Sequence, residues 1–299
     1  MSESQIHDLG YKRYAGVRQE ASRRWRVIAQ HQMGAMWKGF WRYKAWLITT
    51  AMTVVVAAVM IFVATNKEIH LGRGITQTLS NFALPMVFDY GSGKGAFFIS
   101  LTIGATIIAT DRQSNAFVFY FARSTRPIDY LIGKVVGYGA MLAIPFIGAP
   151  LLVALMRIGL SASDDISQLL PHLWLIPETL IVGILGTLAY TIMPLTFSAL
   201  VTNRRYALAI WACWYLIVGT IFAAIGVATH SPVSVIDIGT ATKAMIMNMP
   251  HAGMPGVPGP SDIPIWACVL SILAQCLIGL GVIYAMLSSA QKSGVGGAT

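Results

Sequence analysis

Long apolar runs separated by short polar segments dominate this sequence. Six of the runs approach or exceed the roughly 18 residues that a membrane-spanning helix needs. They cover approximately residues 45–65, 95–110, 130–156, 173–201, 206–228 and 263–287. The second run is short, and we expect residues 82–88 or a tilt to extend it. The pattern therefore predicts an all-α, polytopic membrane protein with six transmembrane helices.

The composition agrees with this assignment and excludes a soluble enzyme. Of the 299 residues, 56% are hydrophobic and only 11% are charged, and the mean hydropathy is +0.64. Soluble domains carry about a quarter charged residues. A chain so poor in charge cannot cover its surface with polar side chains in water, so we expect a transmembrane domain over residues 45–287.

A basic amphipathic segment precedes the first apolar run. Within residues 18–44, apolar side chains recur every three to four residues, and arginines and lysines fill the other face. The apolar positions are Trp25, Ile28, Ala29, Met33, Met36, Trp37 and Phe40. The pattern predicts an interfacial helix, apolar side on the bilayer, within a cytosolic N-terminal region of residues 1–44. A soluble helix bound to a partner remains the alternative.

The distribution of positive charge predicts the orientation in the membrane. Sixteen of the 21 lysines and arginines lie on the side that holds both termini, and the positive-inside rule places that side in the cytosol. We therefore expect a multi-pass protein of the cell inner (plasma) membrane. Its longest external loop would be residues 229–262, and residues 288–299 would form a flexible cytosolic tail. The basic excess suits anionic membrane lipids and not a nucleic acid.

Residues that carry chemistry are sparse in the predicted spans, so we expect no enzyme activity in this chain. No predicted span has a carboxylate near its middle, which disfavours a carrier driven by protons or sodium. The sequence GSGKG at residues 91–95 looks like a phosphate-binding loop. A P-loop, however, needs glycine and then serine or threonine where this chain has Phe88 and Gly95. We expect a flexible turn there, at the end of an external loop of residues 66–94, and no cofactor in this chain.

A methionine-rich segment lies in the last predicted external loop. Thioether and imidazole groups are ligands that suit Cu(I). The segment supplies five of them within ten residues: Met245, Met247, Met249, His251 and Met254. The alternative is that the methionines line the apolar face of a segment that lies on the membrane. The sequence leaves both interpretations open.

A polar and aromatic block at residues 111–134 separates the second and third apolar runs. It reads DRQSNAFVFYFARSTRPIDYLIGK. Four aromatic residues in five positions, flanked by arginines, predict a short helix along the cytosolic surface of the bilayer. We place this helix at residues 111–123, where a cytosolic partner can reach it.

Several residues of the block resemble the permease subunits of type-2 ATP-binding-cassette (ABC) exporters. That family shows an E-R-x-x-G-T-like start after its second span. A Pro-containing segment with a basic residue follows, and then an aliphatic or Tyr-Leu pair and Gly-Lys open the third span. The matching positions here are Asp111-Arg112, Arg126-Pro127, Tyr130-Leu131 and Gly133-Lys134. The chain departs from the pattern where Asp111 replaces glutamate and where Asn115 and Ala116 replace Gly-Thr.

The resemblance implies that residues 111–123 are a coupling helix, which contacts a separate nucleotide-binding ATPase subunit that holds ATP and Mg²⁺. The implied contact residues are Asp111, Arg112, Asn115, Phe117, Phe119, Tyr120, Phe121, Arg123 and Arg126. The implied structural motif is Pro127, Tyr130, Gly133 and Lys134. The alternative for Lys134 is a lysine that snorkels to the cytosolic membrane boundary. Two permease chains, identical or paralogous, would form an exporter. A non-transporting membrane anchor that recruits an ATPase is the alternative.

Overall fold

The computed structural model describes residues 24–66, 69, 72–122, 125–161, 172–251 and 263–296. Every regular element within these ranges is helical, which confirms the all-α prediction. Six helices are long and apolar enough to cross a membrane, as expected for a polytopic membrane protein. We call them the first to the sixth span: Phe40–Thr65, Gly74–Gln113, Pro127–Leu160, Leu175–Leu200, Arg204–Thr229 and Ile265–Lys292.

Several spans are built from more than one type of helix. The α-helical segments are Arg24–Lys38, Ala45–Thr65, Arg73–Met86, Gly95–Thr102, Ile107–Gln113, Ala116–Ala122, Pro127–Ala143, Ala149–Ser161, Leu175–Leu200, Arg204–Cys213, Gly219–Thr229, Ile238–Asn248 and Ile265–Gly296. Wider π-helical turns occupy Phe40–Lys44, Val87–Lys94, Ile144–Gly148 and Trp214–Val218, and 3₁₀ turns occupy Gly104–Thr106 and Pro232–Ile236. Such π-helical segments are uncommon and often accompany functional sites.

The second span is much longer than its apolar run. We predicted an external loop over residues 66–94 with a flexible turn at residues 91–95, and this prediction was wrong. The chain is helical from Arg73 onwards, and Gly91 and Gly93 are buried. The glycines allow close packing, because a Cβ on Gly91 would collide with the hydroxyl of Thr53 in the first span. The Thr50 hydroxyl also donates a hydrogen bond of 2.8 Å to the Gly91 carbonyl.

A proline in the third span frees a backbone carbonyl that a neighbouring helix then satisfies. Pro145 has no N–H. It therefore cannot make the usual helical hydrogen bond to the carbonyl of Met141, four residues earlier. The buried hydroxyl of Tyr43 donates to this carbonyl at 2.8 Å. The carbonyl of Pro145 itself accepts a hydrogen bond of 2.6 Å from the Ser92 hydroxyl of the second span. Side chains thus replace the water that lipid cannot supply.

The amphipathic helix packs on protein. It covers Arg24–Lys38, with residues 18–23 of the predicted segment outside the described ranges, and the first span begins two residues later. Its inner face lies along the third span, where Gly133 and Gly137 leave room for it. A Cβ on Gly137 would lie 2.8 Å from the carbonyl oxygen of Ala29. The face that we expected on the bilayer is therefore largely a helix–helix contact.

The segment between the fifth and sixth spans folds back onto the bundle. The Asp237 carboxylate caps the helix Ile238–Asn248 by accepting from the Thr240 N–H at 2.8 Å. This helix packs against the second, fourth and sixth spans. Residues 252–262 of the predicted external loop lie outside the described ranges. The sixth helix continues to Gly296, so the predicted flexible tail begins as helix.

We expect Tyr43→Phe to lower the free energy of unfolding by about 1 kcal/mol, because the Met141 carbonyl loses its donor. The change should shrink in a Pro145→Ala background, where the restored N–H can bond to that carbonyl. Thermal unfolding in detergent measures both, and Tyr206→Phe, at an exposed tyrosine, is the matched control. An equal loss in the two backgrounds would contradict the assigned role of Tyr43.

Candidate functional site

The block at residues 111–134 forms a turn and a short helix between the second and third spans. We predicted one helix over residues 111–123, but the chain breaks at Ser114 and Asn115, where Asn115 adopts a left-handed φ of 53°. Asp111 and Arg112 therefore belong to the end of the second span, and the separate helix is Ala116–Ala122. Asparagine tolerates this conformation better than most residues. The predicted contact residue Arg123 lies outside the described residues.

The short helix is anchored by aromatic packing on Tyr130, a fully buried residue of the third span. The rings of Phe117, Tyr120 and Phe121 lie 5.5, 5.2 and 6.5 Å from the ring of Tyr130, centroid to centroid. Tilted and edge-on pairs at these distances are favourable. Three of the four aromatic residues that we assigned to a partner thus point back into their own protein. Burial, followed by the charge of Asp111, raises the pKa of Tyr120.

A buried ion pair lies next to this aromatic cluster. The Lys134 Nζ is 2.8 Å from an Asp111 carboxylate oxygen, and the side chains are only 6% and 19% exposed. The Tyr130 hydroxyl donates to the same carboxylate at 2.7 Å, and Lys134 donates to the Gln32 amide oxygen at 3.2 Å. Lys134 therefore does not snorkel to the membrane boundary. It joins the second span, the third span and the amphipathic helix.

Polar contacts also attach the end of the second span to the fourth. The Ser198 hydroxyl accepts hydrogen bonds of 3.0 and 2.9 Å from the N–H groups of Ile108 and Ala109. The Arg112 guanidinium donates to the carbonyl of Ala199. Arg112 was predicted to contact a partner, but in this structure it satisfies the last turn of a neighbouring helix. The short helix thus has a support that includes three spans.

The part of the block that faces away from the bundle is small and partly apolar. Phe119 is 75% exposed and Val118 is 60% exposed. Together with the exposed Asn115 and Arg126 they form what we call the exposed tip. Val118 was not among the contact residues implied by the resemblance. Its position next to Phe119 on a one-sided helix is the signal that identifies it.

A second polar group lies deeper in the bundle. Asp89 of the second span forms an ion pair of 3.0 Å with Lys243 of the helix Ile238–Asn248. The hydroxyls of Tyr190 and Tyr215, in the fourth and fifth spans, are 2.9 Å apart. We expected no carboxylate well inside a span. Asp89 corrects that expectation, because the segment taken for a loop is part of the second helix.

The proposed Cu(I) ligands Met245 and Met247 lie on opposite sides of one helix. Met245 is fully buried in the helix Ile238–Asn248, and Met247 lies about 200° further around the same helix. The His251 Nδ1 is 2.7 Å from a Glu178 carboxylate oxygen, a contact that involves one of the two ring nitrogens. Met254 lies outside the described residues. Within the described ranges, no three His, Cys, Asp or Glu side chains are grouped so that they could hold a metal ion.

A comparison with protein-family models found no match for this chain, and a comparison with curated proteins found none either.

We expect Lys134→Met to destabilise the protein by about 1–3 kcal/mol, because the partly buried Asp111 carboxylate loses its counter-charge and keeps the hydrogen bond from Tyr130. The double variant Lys134→Met/Asp111→Asn should recover much of this loss. Thermal unfolding in detergent compares the two, and Lys292→Met at an exposed site is the control. The single variant Asp111→Asn completes the comparison. If the double variant lost as much stability as the two single variants added together, the pair would not be coupled.

Proposed function

We propose that this chain is the membrane-spanning permease subunit of a transporter like the type-2 ABC exporters. In this proposal the exposed tip enters a cleft of a separate ATPase subunit, and the helix Ala116–Ala122 is the coupling helix. The observation that carries the proposal is the combination of an apolar tip with a rigid support. Phe119 and Val118 present apolar surface to the solvent, while their neighbours bind the helix to the bundle.

The apolar surface of the tip supports a protein partner. An exposed phenylalanine on a helix held in place loses little conformational freedom when a partner buries it. Exposed aromatic anchors surrounded by polar residues are typical of the centre of a protein interface. Here Asn115 and Arg126 supply the polar rim. The chain has no nucleotide-binding motif of its own, so we assign ATP, Mg²⁺ and hydrolysis to the partner.

The support of the tip suggests how force would pass into the membrane. A push on the helix Ala116–Ala122 acts on Tyr130, and the ion pair of Asp111 with Lys134 passes it to the second and third spans. Arg112 extends the path to the fourth span. Because packed helices move as rigid bodies, closure of the ATPase would tilt these spans together. We propose that this tilt moves a substrate outward or between the leaflets of the membrane.

Two further features belong to the proposal. A second permease chain, identical or paralogous, would pair with this one, as the resemblance implies. In this proposal the positive charges put the tip and both termini in the cytosol, and the resemblance to type-2 ABC exporters suggests the inner membrane of a bacterium. The anchor alternative differs in its outcome: an anchor would recruit the ATPase without moving a substrate.

We expect Phe119→Ala to weaken ATPase binding about 30-fold, as loss of an interface anchor worth about 2 kcal/mol would do. The measurement is affinity purification of the tagged chain from its native membrane in mild detergent, with ATPase activity and co-purifying subunits quantified. The matched control is Phe62→Ala, a similarly exposed phenylalanine in the first span.

Two results would contradict the proposal. The first is a wild-type chain that stays folded and yields no ATPase. The second is a Val118→Asp/Phe119→Ala double variant that recovers the ATPase in normal amount. ATP hydrolysis that is coupled to movement of a substrate in reconstituted vesicles would favour the transporter over the anchor.

A further inference from the structure

An exposed stripe on the second span carries an unusual lysine. The three residues of the stripe are four positions apart and are all exposed: Tyr90, Lys94 and Phe98. Phe98 stacks on Trp46 of the first span, with ring centroids 4.1 Å apart. The preceding residue, Phe97, stacks on Tyr215 of the fifth span at 4.2 Å. The stripe therefore lies beside the first span, next to the face of the second span that contacts the fifth, and we call it the Lys94 seam.

Lys94 lies deep in the membrane-spanning region. The Ser92 hydroxyl, two residues before it, bonds to the carbonyl of Pro145, near the middle of the third span. A Cβ on the intervening Gly93 would lie 3.8 Å from the hydroxyl of Tyr190, near the middle of the fourth span. These neighbours place Lys94 well away from both ends of the bundle, at a depth where a charged side chain is rare and costly.

The charge of Lys94 has no carboxylate partner among the residues that the structure describes. Its Nζ lies 3.6 Å from the ring centroid of Tyr90, which is a cation–π contact. Lys243 provides the contrast within the same bundle, because it is paired with Asp89 at 3.0 Å. A lysine held over an aromatic ring, exposed and without a counter-ion inside the membrane, is suited to receive an anion.

An apolar groove of about 440 Å³ adjoins this lysine. Its lining residues are Met52, Thr53, Val56, Phe82, Met86 and Tyr90. Tyr90 belongs to both features, since its ring lies under the Lys94 ammonium and also lines the groove. The seam thus combines a cation with an adjacent apolar wall, which matches a molecule with an acidic group and a hydrocarbon chain.

We propose that the Lys94 seam binds an amphipathic anion, with its acidic group on Lys94 and its apolar chain in the groove lined by Val56 and Met86. This inference deepens the proposed function by naming the class of substrate, and it rests on that function only in taking the bound molecule as the one that is moved. A fatty acid and an acidic lipid share this chemistry.

The test compares dodecanoate with dodecanol, two probes that share a chain and differ in charge. Val56→Cys is introduced after Cys213, Cys268 and Cys276 are replaced by alanine, and the purified full chain is kept in a neutral detergent. The rate of alkylation of the thiol by N-ethylmaleimide is measured near neutral pH, where the carboxylate is ionised and the lysine is protonated. Leu277→Cys, exposed on the sixth span, is the control for general effects of the probes.

We expect dodecanoate to protect the thiol at position 56, while dodecanol does not and the control thiol is unaffected. Lys94→Gln should raise the concentration for half-protection at least about tenfold, and Lys94→Arg should keep it close to that of the parent. Protection by phosphatidylglycerol in mixed detergent micelles but not by dodecanoate would still support an amphipathic anion and would identify it as a lipid.

Three results would overturn the inference: equal protection by dodecanol, protection unchanged by Lys94→Gln, or a thiol that is unreactive without any probe. The last would mean that a second copy of the chain closes the seam. The assay needs neither ATP nor an ATPase. Its failure is therefore distinguishable from failure of the proposed function, which co-purification tests separately.

Discussion

The buried ion pair between Asp111 and Lys134 is the interaction on which the arrangement of this protein depends. It is shared with the Tyr130 hydroxyl and the Gln32 amide. These four side chains come from the second span, the third span and the amphipathic helix. Two buried charges are tolerated only where each is fully paired and hydrogen-bonded. That requirement fixes the relative positions of three helices at the base of the helix Ala116–Ala122.

Buried polar groups also need partners in the membrane-spanning region, at the points where its helices are irregular. Pro145 leaves the Met141 carbonyl without a helical donor, and Tyr43 supplies one. Ser92 in the π-helical part of the second span bonds to the carbonyl of Pro145. In lipid no water can take over such bonds, so each irregularity needs a neighbouring helix at a defined distance. The glycines of the second span permit that approach.

Two charged residues of the second span, Asp89 and Lys94, have different surroundings. Asp89 is neutralised by Lys243, which comes from the segment that folds back between the fifth and sixth spans. Lys94, little more than one helical turn away in sequence, lies over the face of an aromatic ring and has no carboxylate partner among the described residues. The first arrangement stabilises the fold, whereas the second leaves a charge available. The difference between them separates a structural ion pair from a binding position.

The sequence by itself determined the class of fold, because apolar runs of spanning length admit little other than a helical bundle in lipid. It also located the block that carries the exposed tip. It did not reveal the N-terminal half of the second span, since Asp89, Gly91, Gly93 and Lys94 lower the local hydropathy. Only contacts with the first, third and fourth spans make that segment a buried helix.

Tertiary structure also decided the roles of the aromatic residues in the block. Phe117, Phe119 and Phe121 are equivalent in composition, but helical phase turns Phe119 outwards, while Phe117 and Phe121 pack on Tyr130. The same holds for Lys134, which a one-dimensional pattern places at a membrane boundary and the fold places on Asp111. Periodicity along one helix cannot show which neighbour faces it, because partners such as Asp111 and Gln32 lie far away in sequence.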